Sequence, residues 1–495
     1  IDLSRIDYED PEVYRALGEA DTIGVFQVES AAQMQTIVRM RPQNLVDMAI
    51  EVALVRPGVG ASDSTHMYVA RRTGKESVAY DHPLVRRALE RTLGAIVFQD
   101  QVNQLAIDVA GFSSWEADRL RRAFGRRDNR HLIDALWEKF RDGALSRGVP
   151  EEVARKIFLR FNGQYMFPES HAYAFGVTAY QSAWLKRYYP LEFYVGIFNQ
   201  QPMGFYNLET LKEDARRHGV KVLNPDINLS REKCIIHEEC LLLGFLLVAG
   251  VGEVAARRLV EERDRNGPYT SLADLMERTG LWMEVYDNLA DAGAFDALGP
   301  DRRIIRWEVG LRYRPARVGK GAARSVASGL VPDETQQGYE ERQLSLTLPV
   351  EQDMAPLHPQ SLRERMEGEY RTLNLYPGGH LMAHLRPQLP LGVLSSEDVS
   401  RMEDGQRVQV AGLIIRRQRP HPHSGVVFLT LEDEFGHIPL IIWPQLYERY
   451  RAQFRFPVVL VTGIVSRRDG TMNVVVQRVE ASSEVGYAPP SKNWC

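Results

Sequence analysis

Five short runs dense in β-branched and aliphatic residues set the strongest constraint on the fold of this chain. They cover 408–415, 426–431, 438–443, 458–465 and 472–479, and a helix-like stretch, 446–454, falls between the third and fourth. Five strands interrupted at that point by one helix describe a small closed barrel of the OB type, whose first and fourth loops commonly grip single strands of nucleic acid. The first loop reads Arg416-Arg417-Gln418-Arg419-Pro420-His421-Pro422-His423-Ser424-Gly425, and the fourth Arg467-Arg468-Asp469-Gly470, a hairpin turn of the Asp-Gly kind. Both are basic, so Arg416, Arg417, Arg419, Arg467 and Arg468 are candidate DNA contacts. Phe428 and Trp443 fall on strands two and three, where an aromatic ring either stacks on a base or is buried, burial being commoner.

Upstream the pattern changes to helices. Asp47–Leu54 is apolar, Val97–Ala110 carries Val97, Val102, Leu105 and Val109 at helical spacing, and Ser114 opens a helix through Phe124. Glu209–His218 is a further helix, with Asn207 placed to cap it and Gly219 just beyond its end. At ~150 residues per domain, 495 residues imply about three domains. The expected fold is therefore multidomain: a mainly α region, a second α region, then the five-stranded barrel.

The longest apolar stretch, Leu241–Val251, contains two glycines and falls well short of the ~20 residues a membrane-spanning helix requires, so no membrane partner is expected. Three cysteines in so long a chain do not make a disulfide framework, and a reducing, cytoplasmic setting is expected. With 61 basic and 65 acidic residues the net charge is −4, so binding of a polyanion must come from local patches.

Such patches exist. Six arginines, Arg119, Arg121, Arg122, Arg126, Arg127 and Arg130, share their interval with one acid, Asp128, and helical spacing aligns Arg119, Arg122 and Arg126. This face suits DNA or is simply solvated. Phe245–Ala256 has the outline of a helix-hairpin-helix: Gly250 and Gly252 flank one apolar residue, so the backbone turns tightly and the next helix offers its opening N–H groups to a phosphate. An αα corner without a ligand fits the same pattern. Arg302–Arg324 follows with eight basic residues and one acid. Arg56 precedes Pro57-Gly58, which fixes the backbone beside a guanidinium able to grip a triphosphate.

Residues 315–400 read as a linker with short ordered pieces. Within it Gln343-Leu344-Ser345-Leu346-Thr347-Leu348 alternates apolar residues between Glu340-Glu341 and Pro349. Such a peptide either inserts its leucines into a partner's groove or packs as a strand on its own domain.

Nucleotide addition needs carboxylates converging on paired Mg²⁺ ions. The acidic cluster Glu432-Asp433-Glu434 precedes Phe435-Gly436, and turn chemistry accounts for it, so no residue is assigned as catalytic. Cys234-x2-His237-x2-Cys240 offers three ligands where structural zinc wants four, and His421-x-His423 has no neighbour to complete a site. No metal site is expected. Ser170-His171 are neighbours in sequence, which does not make a nucleophile and base.

Gly24-Val-Phe-Gln-Val-Glu-Ser30, Ala53-Leu-Val-Arg-Pro-Gly58, Phe98-Gln-Asp-Gln-Val102, Ala117-Asp-Arg-Leu-Arg-Arg-Ala123 and Phe167-Pro-Glu-Ser-His-Ala172 occur in the order seen in bacterial C-family DNA polymerases. Within that family Gln201-Pro-Met-Gly-Phe-Tyr206, Asp214-Ala-Arg-Arg-His-Gly219, Arg417-Gln-Arg-Pro420 and Val427-Phe-Leu-Thr-Leu-Glu-Asp-Glu434 resemble the error-prone, damage-inducible branch. The resemblance implies a polymerase fingers domain over 1–228, a helix-hairpin-helix region over 229–330, a linker with a clamp-binding peptide over 331–400, the OB domain over 401–484 and a tail over 485–495. It puts Arg56, Ser170 and His171 near the incoming dNTP, and Gln343, Leu344, Leu346 and Leu348 on the sliding clamp.

It further implies template-primer DNA as partner, Mg²⁺ held by palm aspartates expected upstream of Ile1, and roles in translesion synthesis, repair and replication. The chain alone is then expected to be inactive, with a palm-bearing chain and mutagenesis accessory proteins as further partners. Val59-Gly60-Ala61 stands where relatives keep a second proline, and Ala123-Phe124-Gly125-Arg126-Arg127 replaces a Met and lysines. A non-catalytic DNA-binding adaptor, left by a split or decayed gene, is the alternative.

Overall fold

The computed structural model describes residues 1–55, 61–124, 130–161, 167–204, 206–313, 354–418, 425–468, 470–481, 488–489 and 491–494. Arg56, Arg126, Arg419 and the peptide from Gln343 to Leu348 lie outside the described residues. The chain forms two compact units, one over Ile1–Tyr189 and the other over Pro190–Arg468 with Met472–Cys495.

The first unit is helical. Asn44 caps the helix Leu45–Leu54 by accepting from the Asp47 N–H at 2.9 Å. This helix lies along Glu169–Tyr188, whose Ala172, Gly176, Ala179 and Ala183 are buried and small enough for close approach. A Cβ on Gly176 would come within 3.1 Å of the Ala49 nitrogen, so any larger residue there pushes the two helices apart. The sequence expectation starts the next helix at Val97, but it starts at Gln99. The reason is local: Gln101 Oε1 accepts from the N–H groups of Val97 and Phe98 at 2.8 and 2.9 Å, closing the helix start with a side chain. Helices Gln99–Ala110, Ser114–Phe124, Arg130–Ser146 and Glu151–Leu159 enclose a core built around Val102, Leu105, Val109, Phe140, Phe158 and Phe161.

The second unit opens with helix Pro190–Phe198, followed by helix Leu208–Arg217, which Asn207 caps as its sequence predicts. A small sheet follows, in which β1 (Val222–Leu223) runs parallel to β3 (Cys240–Leu242), and β2 (Ile235–His237) pairs antiparallel with β3. Helices Glu253–Asn266, Leu272–Thr279, Met283–Asp291 and Arg302–Arg312 come next.

The barrel strands are β4 (Arg407–Gln418), β5 (Val427–Glu432), β6 (His437–Ile442), β7 (Val458–Arg468) and β8 (Thr471–Ala481). The order β5-β6-β8-β7-β4 is closed by a β4–β5 pairing, and helix Pro444–Arg449 sits between β6 and β7. A sixth short strand, β9 (Lys492–Trp494), runs parallel to β4 from Arg416 to Gln418 in a region read as tail. Val410, Ile414, Leu429, Leu431, Ile438, Leu440, Val461 and Val474 fill the interior, as their alternation along each strand requires.

Two sequence readings change. Residues read as linker include helix Leu362–Leu373, fixed by a Ser361–Glu364 capping box, and helix Leu381–Leu385. Met366, Tyr370, Leu381, Met382 and Leu385 pack on Ala411, Leu413, Ile415 and Val458 of the barrel. Their apolar spacing is diluted by the charged residues of the outer face. The second change concerns β4, which continues to Gln418, past a register shift between Ile414 and Arg416, so Arg416 and Arg417 belong to the strand and not to the loop.

Candidate nucleic-acid interface

In the first unit, Ser170 and His171 are exposed on the first turn of Glu169–Tyr188. The Glu169 N–H donates to Asp100 Oδ2 at 2.8 Å, which ties this helix start to the Gln99–Ala110 helix. The His171 ring stacks on Phe167 at 4.9 Å and meets the edge of Phe175 at 4.2 Å, while Phe26 lies 5.2 Å from Phe175. Phe26 is 41% exposed, so an aromatic ladder beside Ser170 is open to solvent at one end.

Arg119 and Arg122 both project from the outer face of Ser114–Phe124, while Ala117, Leu120 and Ala123 face the core. One acid just before the arginine run, Asp118, holds both Arg121 and Arg122 at 2.7 Å. The Arg121 hydrogen bond is the main reason its carboxyl sits below the ordinary value. The usable positive charge of this face is therefore smaller than the run of arginines suggests.

In the second unit the glycine turn has the geometry a helix-hairpin-helix requires. Gly250 takes φ +76°, and a Cβ there would lie 2.9 Å from Asn288 Nδ2. Asn288 Nδ2 donates to the Ala249 carbonyl at 2.9 Å, and the Ala249 N–H donates to the Thr372 carbonyl at 2.7 Å, so the turn is held from two helices. Gly252 is the N-cap of Glu253–Asn266, whose first N–H groups have no acceptor within the helix. Arg257 and Arg258 are exposed one turn on, and Glu253 in the first turn opposes them.

On the barrel, Arg416 is 7% exposed, and Arg417 is half-buried with its guanidinium donating to the Phe454 carbonyl. Arg467 is exposed, but its guanidinium donates to the carbonyls of Met402 and Ser400. Arg468 is exposed at the end of β7. Structural bonds thus hold the guanidiniums of Arg417 and Arg467. The rings behave differently: Trp443 is 56% exposed, against the expectation of burial, and Phe428 is half-buried. Phe428 pairs across from Ile441, and Ile441 from Val475, so β5, β6 and β8 present one apolar row on the outer face. Ile441 and Val475 are absent from the residues expected to bind, and the alternation along their strands is the sequence signal that marks them.

The acidic cluster is structural. Asp433 is fully buried; Oδ1 accepts from the N–H groups of Phe435 and Gly436 and from the Ser396 hydroxyl, and Oδ2 from the Ser396 N–H at 2.7 Å. Glu432 accepts from the Thr210 hydroxyl at 2.9 Å and pairs with His437 Nε2 at 3.0 Å. Oxygens so engaged, as in the turn chemistry read from sequence, do not suit a pair of Mg²⁺ ions. Cys234 and Cys240 lie at either side of the β2–β3 hairpin, and Cys234 Sγ accepts from the Gly244 N–H.

Residues 1–148 match the finger domain of the bacterial DNA polymerase III alpha subunit, 219–305 a helix-hairpin-helix motif, and 408–481 an OB-fold nucleic acid binding domain. The chain is 39% identical over 487 residues to an error-prone DNA polymerase of Corynebacterium efficiens, covering 97% of this chain and 42% of that protein. Over residues 1–148 the chain carries the finger domain of the bacterial DNA polymerase III alpha subunit. Relatives of the same description as the Corynebacterium efficiens protein come from Mycolicibacterium paratuberculosis (37% identity, 97% of this chain, 42% of that protein) and Nocardia farcinica (38%, 99% and 42%). The chain thus spans under half the length of the curated relatives it matches. A finger, a helix-hairpin-helix and an OB domain thus follow one another in this chain, and the helical regions and closed barrel are their folds. Among the described residues no helix is long and apolar enough to cross a membrane.

Proposed function

We propose that this chain supplies the fingers, duplex-binding and single-strand-binding parts of a cytoplasmic error-prone DNA polymerase acting in translesion synthesis, repair and replication. The observation that carries this reading is the succession of three nucleic-acid-related domains within a chain related over 97% of its length to error-prone polymerases. Joining nucleotides requires Mg²⁺-holding carboxylates, and these are assigned to a palm outside residues 1–495, on the same polypeptide or a second one. Mg²⁺ would there stabilise the attacking and leaving oxygens.

The division of labour follows the chemistry of each surface. Fingers residues 1–228 take the incoming dNTP through Arg56, Ser170 and His171, with the aromatic ladder behind His171 fixing its ring. Arg119, Arg122 and Arg126 bind phosphates. In 229–330 the Gly250–Gly252 turn accepts a backbone phosphate of the duplex at a helix start, a contact that carries no base preference. The barrel, 401–484, binds single strands through Trp443, Phe428 and Arg468, with Arg419 in its first loop; Arg416, Arg417 and Arg467 shape that surface. Gln343, Leu344, Leu346 and Leu348 dock on the sliding clamp from the segment 331–400. Accessory mutagenesis proteins complete the set of partners.

Primer extension with and without the adjoining palm tests this reading. Extension only when the palm is supplied is the expected result. Failure to extend with the palm present, together with retained DNA binding, would assign the chain to the non-catalytic adaptors.

A further inference from the structure

Trp115 is the most exposed tryptophan among the described residues, at 69%, and it stands on the helix that carries the arginine cluster. Its neighbour one turn on, Arg119, places its guanidinium carbon 5.6 Å from the centre of the indole ring. Nearby carboxylates are already engaged: Asp118 holds Arg121 and Arg122, and Glu116 holds Lys139. Among the described residues no carboxylate is paired with Arg119. Among these residues four cations meet two carboxylates, which leaves this stretch with net positive charge.

The pair is fixed in place by its helix. The Ser113 side chain accepts from the Glu116 N–H at 3.4 Å, and Glu116 Oε2 accepts from the Ser113 N–H at 2.9 Å, which locks the first turn where Trp115 sits. Ala117, Leu120 and Ala123 anchor the opposite face in the core. A guanidinium over an indole covers at most one face of the ring, and an exposure of 69% leaves the remainder open. A flat apolar surface with one stationary cation beside it matches a nucleobase joined to its phosphate. Every base has a π face, so the fit is tolerant of sequence.

We propose that Trp115 and Arg119 form a base-stacking platform for single-stranded DNA on the finger domain, the indole taking an unpaired base and the guanidinium an adjoining phosphate. The platform rests on the reading of this chain as DNA-binding. It is separate from the barrel's aromatic row and from Ser170 and His171. A duplex keeps its bases stacked inward and cannot use the ring, so the ligand is the unpaired strand.

The test uses the full chain and three ligands: an oligo-dT strand, an abasic strand of equal length, and a duplex. Trp115→Ala is expected to weaken oligo-dT binding on the order of tenfold while leaving the abasic strand and the melting temperature unchanged. Trp115→Phe should retain most of the affinity, and Arg119→Ala should weaken both strands. Ultraviolet crosslinking of a 5-iodouracil strand should mark the peptide containing Trp115. A preference for oligo-dT over the abasic strand that is unaltered in Trp115→Ala, or crosslinks confined to the barrel, would overturn the platform. An apolar groove of a protein partner would then be the occupant to seek. If the unmodified chain binds none of the three ligands, the broader DNA-binding reading fails instead.

Discussion

The Thr210 hydroxyl donates a 2.9 Å hydrogen bond to Glu432 Oε2, joining helix Leu208–Arg217 to the end of β5 across 222 residues of chain. Both residues are fully or almost fully buried. Burial alone would raise the Glu432 pKa, but the bond and charge of His437 bring it below the ordinary value, so the carboxylate is held ionised and relies on its donors. Thr210→Val keeps the shape and removes one donor, which should cost ~1–3 kcal/mol in urea unfolding. A loss within error of zero would mean that water reaches Glu432.

Lys212 is a stronger case. Its Nζ lies 3.0 Å from Glu209 and 2.6 Å from Glu213, and it also donates to the carbonyls of Tyr376 and Gly379. Burial pushes Glu209 up to about 7 despite the ammonium beside it. Lys212→Met leaves two buried carboxyls without their cation and should cost ~3–5 kcal/mol in the same measurement. Glu209→Gln in that background should restore part of the loss, because it removes one uncompensated charge.

Two buried groups add pH dependence of opposite sign. Glu51 in the first unit is fully buried, its carboxyl has no hydrogen-bond partner among the described residues, and burial raises its pKa well above 4.5. Its folded form holds the proton more tightly, so its stabilisation is complete below 4.5 and is lost as pH rises through the folded pKa. Glu51→Gln should flatten that decline in a melting-temperature series. His380 has the opposite sign, since burial lowers it from 6.5 to about 3. Its stabilisation is complete above 6.5 and is lost as pH falls toward 3. His380→Asn, which keeps an acceptor for the Met382 N–H, should reduce acid sensitivity in that window.

For the barrel, Trp443→Ala should weaken single-strand binding by ~1–3 kcal/mol, with a smaller effect from Phe428→Ala. Titration of oligo-dT against the full chain reads both. Equal affinities for the two variants and the parent would remove β5 and β6 from the interface.

For the clamp, Leu346→Ala should abolish retention of the chain on immobilised sliding clamp while DNA binding is unchanged. Undiminished retention would leave the peptide from Gln343 to Leu348 without that role.

Much of this architecture is legible in the sequence because its signals are local. The barrel strands alternate over short runs, Asn207 and Gly219 bracket their helix, and Gly250 needs a conformation that other residues resist. The charged surfaces are harder to read. An arginine's partner is chosen by the fold, so Arg417 on a carbonyl, Arg467 on two and Arg122 on Asp118 look no different in sequence from Arg119, which has none of these. Helix Leu362–Leu373 is hidden in the sequence for a related reason: Met366 and Tyr370 are sparse among charges that its solvent side tolerates. The exposed indoles of Trp115 and Trp443 follow no periodic rule at all.

The buried tie between Thr210 and Glu432 has a practical corollary for dissecting the protein. A fragment beginning at residue 401 would retain every barrel strand, yet it would strip Glu432 of a donor and bare the flank of Ala411, Leu413 and Ile415 that Met366 and Tyr370 cover. Such a piece is expected to aggregate, whereas one cut before Pro190 carries its own covering with it.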